Sequence, residues 1–243
     1  MDAASEKTKR DRECIRPFEE YRKGPYARYV AQLGQDMAFR PDSDFFAFAD
    51  HVHSARRTLL GLDRLYVLFQ SARNVARIPG AAVEVGTYRG GSAWFLASAL
   101  KAFAGHEVPM HVFDTFAGHP ADAISDVDVF QTAGEFTGSL GAVREFLASF
   151  GSVTIHPGDV RHTLSQLPSQ AYRLVHLDTD LYQPILACLD YFGPRLSGGG
   201  IIVVDDYGSK KCPGVPKATA EYLRRADDFQ VWDMRTEQLV LRR

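Results

Sequence analysis

Hydrophobic residues recur at helical spacing between Phe45 and Ile78, and the pattern then changes to short apolar runs separated by polar or glycine-rich turns. Apolar positions three and four residues apart share one helix face, so the first region predicts two helices broken near Gly61. Pro79 and Gly80 end the second helix. Aromatic residues at helical spacing here and shortly after are expected in the core: Phe45, Phe46, Phe48, Phe69 and Trp94.

The short apolar runs after residue 80 predict strands that alternate with helices. The predicted strands are 81–85, 109–113, 153–156, 172–178, 201–204, 229–234 and 238–241. The predicted helices are 93–103, 140–150, 183–196 and 216–226, and a glycine-rich turn at 197–200 closes the third of these. Such alternation indicates a parallel sheet with helices on both faces. The short link before the last strand predicts a hairpin, which makes that strand antiparallel.

These elements fit one doubly wound α/β domain, which a chain of 243 residues is long enough to build. We place this domain at 61–243 and assign 1–60 to an N-terminal cap. Within the cap, 1–16 is polar and expected to fray, and 17–41 is expected to be irregular or helical. The segment 118–138 is a long polar loop that could serve as a lid or a subunit contact.

Composition and net charge indicate which binding partners and which cellular compartment to expect. The formal net charge is −2, which gives no general attraction to nucleic acid or to an anionic membrane. Three widely spaced cysteines, Cys14, Cys188 and Cys212, argue against a disulfide or zinc framework and for a reducing compartment. The polar N-terminus does not resemble a signal peptide, and no apolar run reaches membrane-spanning length. We therefore expect a cytoplasmic protein.

The turn from Glu84 to Ser92 joins a predicted strand to a helix and contains Gly86, Gly90 and Gly91. Its spacing matches neither the dinucleotide fingerprint nor a P-loop. Glu84 could hold an ammonium group, and free N–H groups at the helix start suit a carboxylate. Both groups occur at the amino-acid end of S-adenosylmethionine, whose ribose hydroxyls Asp114 would bind. The alternative is a structural turn with a solvated Glu84.

Four carboxylates follow two predicted strands: Asp178 and Asp180 after one, and Asp205 and Asp206 after the other. Parallel strands bring their carboxyl ends to one edge of a sheet, and clustered carboxylates require a cation or a shared proton. Three carboxylates completed by water suit Mg²⁺. The alternative is that these acids cap helices and turns, with Asp180 capping the next helix and Asp206 anchoring a turn.

Two histidines carry further possibilities. His176 and Asp178 match the His-x-Asp half of a two-histidine, one-carboxylate iron site, although such oxygenases use a jelly-roll barrel rather than alternating helices and strands. His119 lies in the loop beside Asp114 and could line a substrate pocket.

Four segments together resemble the macrocin O-methyltransferase family, whose members methylate sugar hydroxyls on macrolides and aminocoumarins. They are residues 84–92 (EVGTYRGGS), 113–118 (FDTFAG), 177–182 (LDTDLY) and 196–207 (LSGGGIIVVDDY). The resemblance spans about 62 to 223. It implies a class I methyltransferase Rossmann-like fold with a seven-stranded, mostly parallel sheet, an antiparallel C-terminal strand and an N-terminal helical cap. It also implies S-adenosylmethionine and Mg²⁺ as cofactors.

The resemblance assigns roles residue by residue. Asp178, Asp205 and Asp206 would bind the metal, Asp180 would be the general base, and the segment containing Asp159 would lie near the adenine. The cofactor-binding residues expected in full are Glu84, Gly86, Thr87, Gly91, Ser92, Asp114, Thr115, Phe116, Asp159 and Asp178.

The expected function is therefore O-methylation of a small-molecule natural product, most simply at a deoxysugar of a glycosylated antibiotic. A metal-dependent methyltransferase of catechols or other phenols is the alternative enzyme. A cofactor-binding subunit without chemistry is the alternative of another class, and a homo-oligomer is possible.

Overall fold

The computed structural model describes residues 43–243, so the expected frayed terminus and the cap at 17–41 lie outside the described residues. The two helices predicted before residue 80 are present on either side of Gly61. The helices of the described chain are α1 (Ser43–Ser54), α2 (Leu62–Val75), α3 (Gly91–Ala104), α4 (Leu140–Phe146), α5 (Val160–Thr163), α6 (Tyr182–Phe192) and α7 (Gly214–Leu223). Short 3₁₀ segments occupy Ala121–Ala123, Leu164–Gln166 and Gly193–Arg195.

A seven-stranded sheet forms the centre of the molecule, in the order β3-β2-β1-β4-β5-β7-β6. Its strands are β1 (Ala81–Val85), β2 (Met110–Asp114), β3 (Val153–Pro157), β4 (Tyr172–Leu177), β5 (Leu196–Val204), β6 (Gln230–Asp233) and β7 (Leu239–Arg242). β1 to β5 pair in parallel, and β7 pairs antiparallel with both β5 and β6. The predicted mostly parallel sheet with a terminal hairpin is confirmed.

Several predicted boundaries are wrong. The helices expected at 140–150 and 183–196 end earlier, at Phe146 and Phe192. Residues 197–200 were expected to be a turn, but β5 begins at Leu196 and includes them. Gly199 donates to the backbone oxygen of Arg243, and the Arg243 N–H donates back to Gly200. Pairing with the C-terminal strand therefore extends β5 through a segment whose glycines locally favour a turn.

Two hydrophobic clusters cover the two faces of the sheet. One contains α1, α2 and α3, where the Phe45 ring meets Phe69 and Phe95 at centroid distances of 5.5 and 6.0 Å. The other contains α6 and α7. The predicted core position of the aromatic residues is confirmed, with Phe46, Phe48 and Trp94 partly buried at its margin. Helix α1 belongs to the predicted cap, yet it packs in the same core as α2 and α3. The division of the chain at residue 60 stays a prediction.

The strand register aligns the carboxyl ends of the central strands. Val85 pairs with Leu177, which in turn pairs with Val204. The residues that follow these three strands, and Asp114 at the end of β2, therefore lie along one edge of the sheet. None of the helices between residues 43 and 243 combines the length and the apolar character needed to cross a membrane.

Candidate active site

The glycine turn after β1 brings two strand ends into direct contact. Gly86 has a φ of +90°, and a Cβ atom placed on it would stand 1.8 Å from the backbone oxygen of Asp178, beyond β4. Glycine alone tolerates both this conformation and this approach. The turn ends at Gly90, the N-cap residue of α3, which offers no side-chain cap. The N–H of Gly91 donates to the backbone oxygen of Arg57 at 3.2 Å.

A cavity of about 380 Å³ opens at this edge of the sheet, a volume typical of small-molecule sites. Most of the residues predicted to bind a cofactor line it: Gly86, Thr87, Ser92, Asp114, Thr115, Asp159 and Asp178. The other three predicted residues, Glu84, Gly91 and Phe116, lie outside its lining. Asp180 and Asp206 also line the cavity, so the glycine turn and part of the acidic cluster face one space.

Asp114 presents a preorganised carboxylate to this cavity. Its two oxygens accept the backbone N–H groups of Tyr88 and Phe116, each at 2.6 Å. Burial raises the pKa of Asp114 to about 6, although both hydrogen bonds favour the charged form. Each carboxylate oxygen has a second lone pair, so Asp114 can still accept hydrogen bonds from ligand hydroxyls.

Thr87 gives a test of whether a polar ligand fits here. It lines the cavity, it is 2% exposed, and its Oγ1 has no hydrogen-bond partner among the residues that the structure describes. Buried polar atoms are nearly always satisfied by protein, water or ligand. An unpaired hydroxyl beside a charged Asp114 therefore fits a ligand rich in hydrogen-bonding groups, as S-adenosylmethionine is.

Glu84 does not line the cavity. It is fully buried, and its Oε1 is 3.0 Å from Nδ1 of His176, its neighbour across β1 and β4. The alternative of a solvated Glu84 is therefore wrong. Its Oε2 has no hydrogen-bond partner within residues 43–243. A role in holding a ligand ammonium stays a prediction.

His176 is buried between two carboxylates. Its Nε2 is 3.6 Å from Oδ2 of Asp205, on the side opposite Glu84. Burial alone would lower the pKa of His176, but Asp205 and Glu84 raise it to about 10. His176 can approach Asp178 and Asp205 closely enough for all three to share a metal ion. No second histidine joins that group among the described residues, which disfavours the two-histidine iron site.

The acidic residues at this edge lie close enough to shift one another's pKa values. The pKa of Asp178 is raised well above its usual range, first by burial and then by the charges of Asp205 and Asp206. Burial, followed by the charges of Asp180 and Asp205, raises the pKa of Asp206 to about 8. Carboxylates held this close favour a shared proton or a cation.

A guanidinium group partly compensates this charge. Arg64, on the first turn of α2, places Nη1 3.0 Å from an oxygen of Asp205 and 3.0 Å from one of Asp206. Its Nη2 lies 2.6 Å from Glu237, in the turn between β6 and β7. Burial would lower the pKa of Arg64, but the charges of Asp205, Asp206 and Asp178 raise it. Arg64 thereby ties α2 to the edge of the sheet.

The donor set also fits a divalent metal ion. Oδ2 of Asp205 is buried and has no hydrogen-bond partner in the described part of the chain. Burial and the neighbouring carboxylates raise the pKa values of Asp178 and Asp206, although Arg64 and His176 lie beside the cluster. Carboxylate oxygens are the ligands that Mg²⁺ prefers. Asp178 and Asp205 offer ligand atoms within 4.8 Å of one another, together with His176, whereas Asp206 groups with Asp180 and Cys212. The set of Asp178, Asp205 and Asp206 as metal ligands therefore stays a prediction.

Asp180 is held apart from its helix. It has a φ of +62°, and Leu181, not Asp180, is the N-cap of α6, which has no side-chain cap. The alternative that Asp180 caps this helix is wrong. His119 Nε2 is 3.2 Å from its Oδ2, and Cys212 Sγ is 3.5 Å from its Oδ1. Burial would raise the pKa of Asp180, but hydrogen bonds led by that of His119 lower it.

The loop 118–138 covers the cavity and is anchored by a buried acid. Asp128 is 1% exposed and accepts the backbone N–H of Tyr182 at 3.1 Å and both the N–H and the hydroxyl of Ser125. His119 and Phe136 of this loop line the cavity. The predicted pocket position of His119 is confirmed.

Asp159 is already partly paired. It caps α5 by accepting the N–H of Arg161, and its carboxylate binds the Arg161 guanidinium, with Nη2 at 2.6 Å. Arg161 also contacts Asp122 and Gln183. Asp159 lines the cavity, but its side chain serves this network as well.

Sequence reasoning missed Arg64, Asp128 and Cys212 as parts of the site. Arg64 follows Asp63 in the first turn of α2, where the sequence shows no motif, and Asp128 lies in an acidic loop that also lacks one. Positive φ angles at Asp180, Asp206, Tyr88 and Phe136, all lining the cavity, carry no sequence signal. Such conformations cluster at functional sites.

Comparisons with solved structures agree with this architecture. The O-methyltransferase NovP superposes with a TM-score of 0.65 at 26% identity, covering 77% of this chain and 82% of that one. The calicheamicin methyltransferase CalS11 has the same TM-score at 23% identity, covering 90% and 93% of the two chains, which shows the fold alone.

Characterised relatives share sequence over most of the chain. Mycinamicin III 3''-O-methyltransferase of Micromonospora griseorubida is 29% identical over 200 residues, which is 76% of this chain and 78% of that protein. A tetracenomycin-C 4'-O-methyltransferase of Streptomyces olivaceus that acts on a dimethoxy-rhamnosyl substrate is 31% identical over 184 residues, or 71% and 70% of the two chains. The profile of the macrocin-O-methyltransferase (TylF) family matches residues 17–230. The chain therefore belongs to the macrocin-O-methyltransferase family, and it is an O-methyltransferase.

Proposed function

We propose that this enzyme transfers a methyl group from S-adenosylmethionine to a sugar hydroxyl of a glycosylated natural product, with Mg²⁺ bound at the acidic edge. The observation that carries the proposal is a single cavity lined by Thr87 and Asp114 on one side and by Asp178, Asp180 and Asp206 on another. A methyl donor and a hydroxyl could therefore meet beside a carboxylate.

The relatives support the acceptor class. The mycinamicin and tetracenomycin enzymes are named for defined positions on their acceptors, the second on a rhamnosyl derivative. Another relative, from Streptomyces niveus, is a demethyldecarbamoylnovobiocin O-methyltransferase, 29% identical over 187 residues. An antibiotic sugar is the acceptor that these names jointly favour.

The residues near the glycine turn would bind the methyl donor. Asp114 would accept hydrogen bonds from its ribose hydroxyls, with the carboxylate fixed by two backbone N–H groups. Thr87 and Ser92, at the turn and the start of α3, would contact its amino-acid end. When bound, S-adenosylmethionine supplies a methyl group on a positively charged sulfur. These contacts orient that group toward the acidic edge.

Asp180 would accept the proton of the acceptor hydroxyl. Its lowered pKa keeps the carboxylate charged, but it also makes Asp180 a weak base toward an alcohol. When bound by Asp178, Asp205 and Asp206, Mg²⁺ would lower the pKa of the hydroxyl and so compensate for that weakness.

An acceptor panel tests the proposal. Purified enzyme with S-adenosylmethionine and Mg²⁺ is offered glycosylated macrolides, their aglycones and catechols, and methylated products are identified by mass spectrometry. We expect methylation of glycosylated acceptors only, lost in EDTA and restored by Mg²⁺. Activity confined to catechols would favour the phenolic alternative, and full activity in EDTA would remove the metal from the proposal.

We also propose a cytoplasmic location and a small-molecule acceptor without nucleic-acid partners, on the grounds of the cysteine content and net charge. Cys188 and Cys212 are both buried free thiols, in keeping with a reducing compartment. The possible homo-oligomer stays a prediction.

A further inference from the structure

His119 is fixed in place by both its backbone and its side chain. Its N–H donates to the backbone oxygen of Glu135 at 3.0 Å, and its carbonyl accepts the N–H of Gly134 at 2.9 Å. Its ring lies 5.3 Å from the ring of Phe136, and its side chain is 9% exposed. The two ends of the loop 118–138 thus hold the imidazole at one position beside the cavity.

The ring nitrogens of His119 have different surroundings. Nε2 lies 3.2 Å from Oδ2 of Asp180, whereas Nδ1 is buried without a hydrogen-bond partner among the described residues. A buried N–H without an acceptor is rarer than a buried acceptor without a donor. The hydrogen therefore belongs on Nε2, where it is donated to the carboxylate.

Asp180 needs such a donor. Its backbone has a positive φ. Its other neighbours are the thiol of Cys212, a weak donor 3.5 Å from Oδ1, and Asp206, which can donate to it only while Asp206 is protonated. An aspartate side chain without a strong partner can rotate about its terminal torsion, because that torsion has broad minima. The His119 hydrogen bond restricts this rotation and directs the carboxylate into the cavity.

We propose that His119 is the positioning residue of the general base: its Nε2–H fixes the Asp180 carboxylate in the orientation that accepts the proton. This inference rests on the proposed role of Asp180. His119 acts through Asp180 and exchanges no proton with the acceptor, since its remaining nitrogen is buried. A side chain that donates at the same distance should therefore replace it.

Three variants test the proposal, and the kcat for methylation of an acceptor is compared between each variant and the wild type. His119→Leu removes the donor, His119→Gln places an amide N–H near the position of Nε2, and His106→Leu changes an exposed histidine as a control. We expect kcat of His119→Leu to fall about 10- to 100-fold, as misplacement of a catalytic group does. KM and the affinity for S-adenosylmethionine should stay within about twofold, because leucine keeps a side chain in the cavity wall and only the hydrogen bond to Asp180 is lost.

His119→Gln should recover most of the lost kcat, and His106→Leu should match the wild type. Equal losses in the Gln and Leu variants would overturn the proposal, as would an active His119→Leu enzyme. Nitrogen-15 NMR of the histidine side chains adds a readout that needs no acceptor. The His119 resonance is assigned by its absence in His119→Gln, and we expect it to report protonation at Nε2. Protonation at Nδ1 would refute the hydrogen bond even if no acceptor were turned over.

Discussion

Replacing Arg64 by methionine should destabilise the enzyme far more than replacing an exposed arginine of similar geometry. Methionine keeps most of the apolar stem but removes the charge that faces Asp205, Asp206 and Glu237. Asp205 has no exposed side-chain surface, so its carboxylate would stay buried with only His176, 3.6 Å away, left as a cation. Arg225, which contacts Asp190 at 2.7 Å with both side chains about half exposed, provides the matched control.

The burial of the residues that contact Arg64 determines how much stability the substitution should remove. Breaking a buried ion pair by removing one partner costs about 3–5 kcal/mol. The Glu237 contact adds about 0–1 kcal/mol, because the Glu237 side chain is 50% exposed. Proton uptake by the Asp178–Asp206 cluster relieves part of the loss, since the pKa of Asp206 is already about 8. We therefore expect Arg64→Met to lose about 3 kcal/mol and Arg225→Met to lose under about 1 kcal/mol.

Urea unfolding in EDTA measures both losses, followed by circular dichroism at pH 7.5 with equal m-values required for the comparison. Arg64→Met within about 0.5 kcal/mol of the wild type would refute the reasoning, since surface substitutions commonly fall in that range. Equal losses in the two arginine variants would show that the buried partner of Arg64 adds nothing.

Two further predictions concern the glycine turn and the donor side of the cavity. Gly86→Ala should lower the free energy of unfolding by more than about 3 kcal/mol, because its Cβ would clash with Asp178 and its φ is +90°. Gly105 has a φ of +77° but open space around it, so Gly105→Ala should lower the free energy of unfolding by only about 1 kcal/mol in the same urea titration. Asp114→Asn should weaken S-adenosylmethionine about 10- to 100-fold by calorimetry. Wild-type affinity should fall as pH decreases through about 6, because the pKa of Asp114 lies there and the charged form is the better acceptor. A pH-independent affinity, or equal losses at Gly86 and Gly105, would contradict these expectations.

The sheet and the position of its chemistry could be predicted from local sequence. Apolar runs that end in Asp114, Asp178 and Asp205 place these acids at strand ends, and parallel pairing then places the strand ends at one edge. The pattern failed at 197–200, where backbone pairing with Arg243 outweighs the turn preference of the glycines.

Side-chain contacts that depend on strand register and on side-chain direction could not be predicted from the sequence. The pairing of β1 with β4 places Glu84 opposite His176, a contact that the sequence pattern did not reveal. Arg64 follows an apolar helix pattern, which identifies the residues in the core but not the polar side chain that reaches past them. The pairing of His119 with Asp180 joins residues 61 positions apart and depends on how the loop 118–138 folds back.

The central claim is that Asp180 removes the proton from the acceptor hydroxyl during methyl transfer from S-adenosylmethionine. The most direct test is a single-turnover measurement with Asp180→Asn, saturated with methyl-labelled S-adenosylmethionine, Mg²⁺ and a glycosylated acceptor. The rate of product formation should fall by about 10²- to 10⁴-fold, which is the usual contribution of a general base, while calorimetry shows unchanged binding of S-adenosylmethionine. An Asp180→Asn enzyme that forms the methylated product at the wild-type rate would contradict the account.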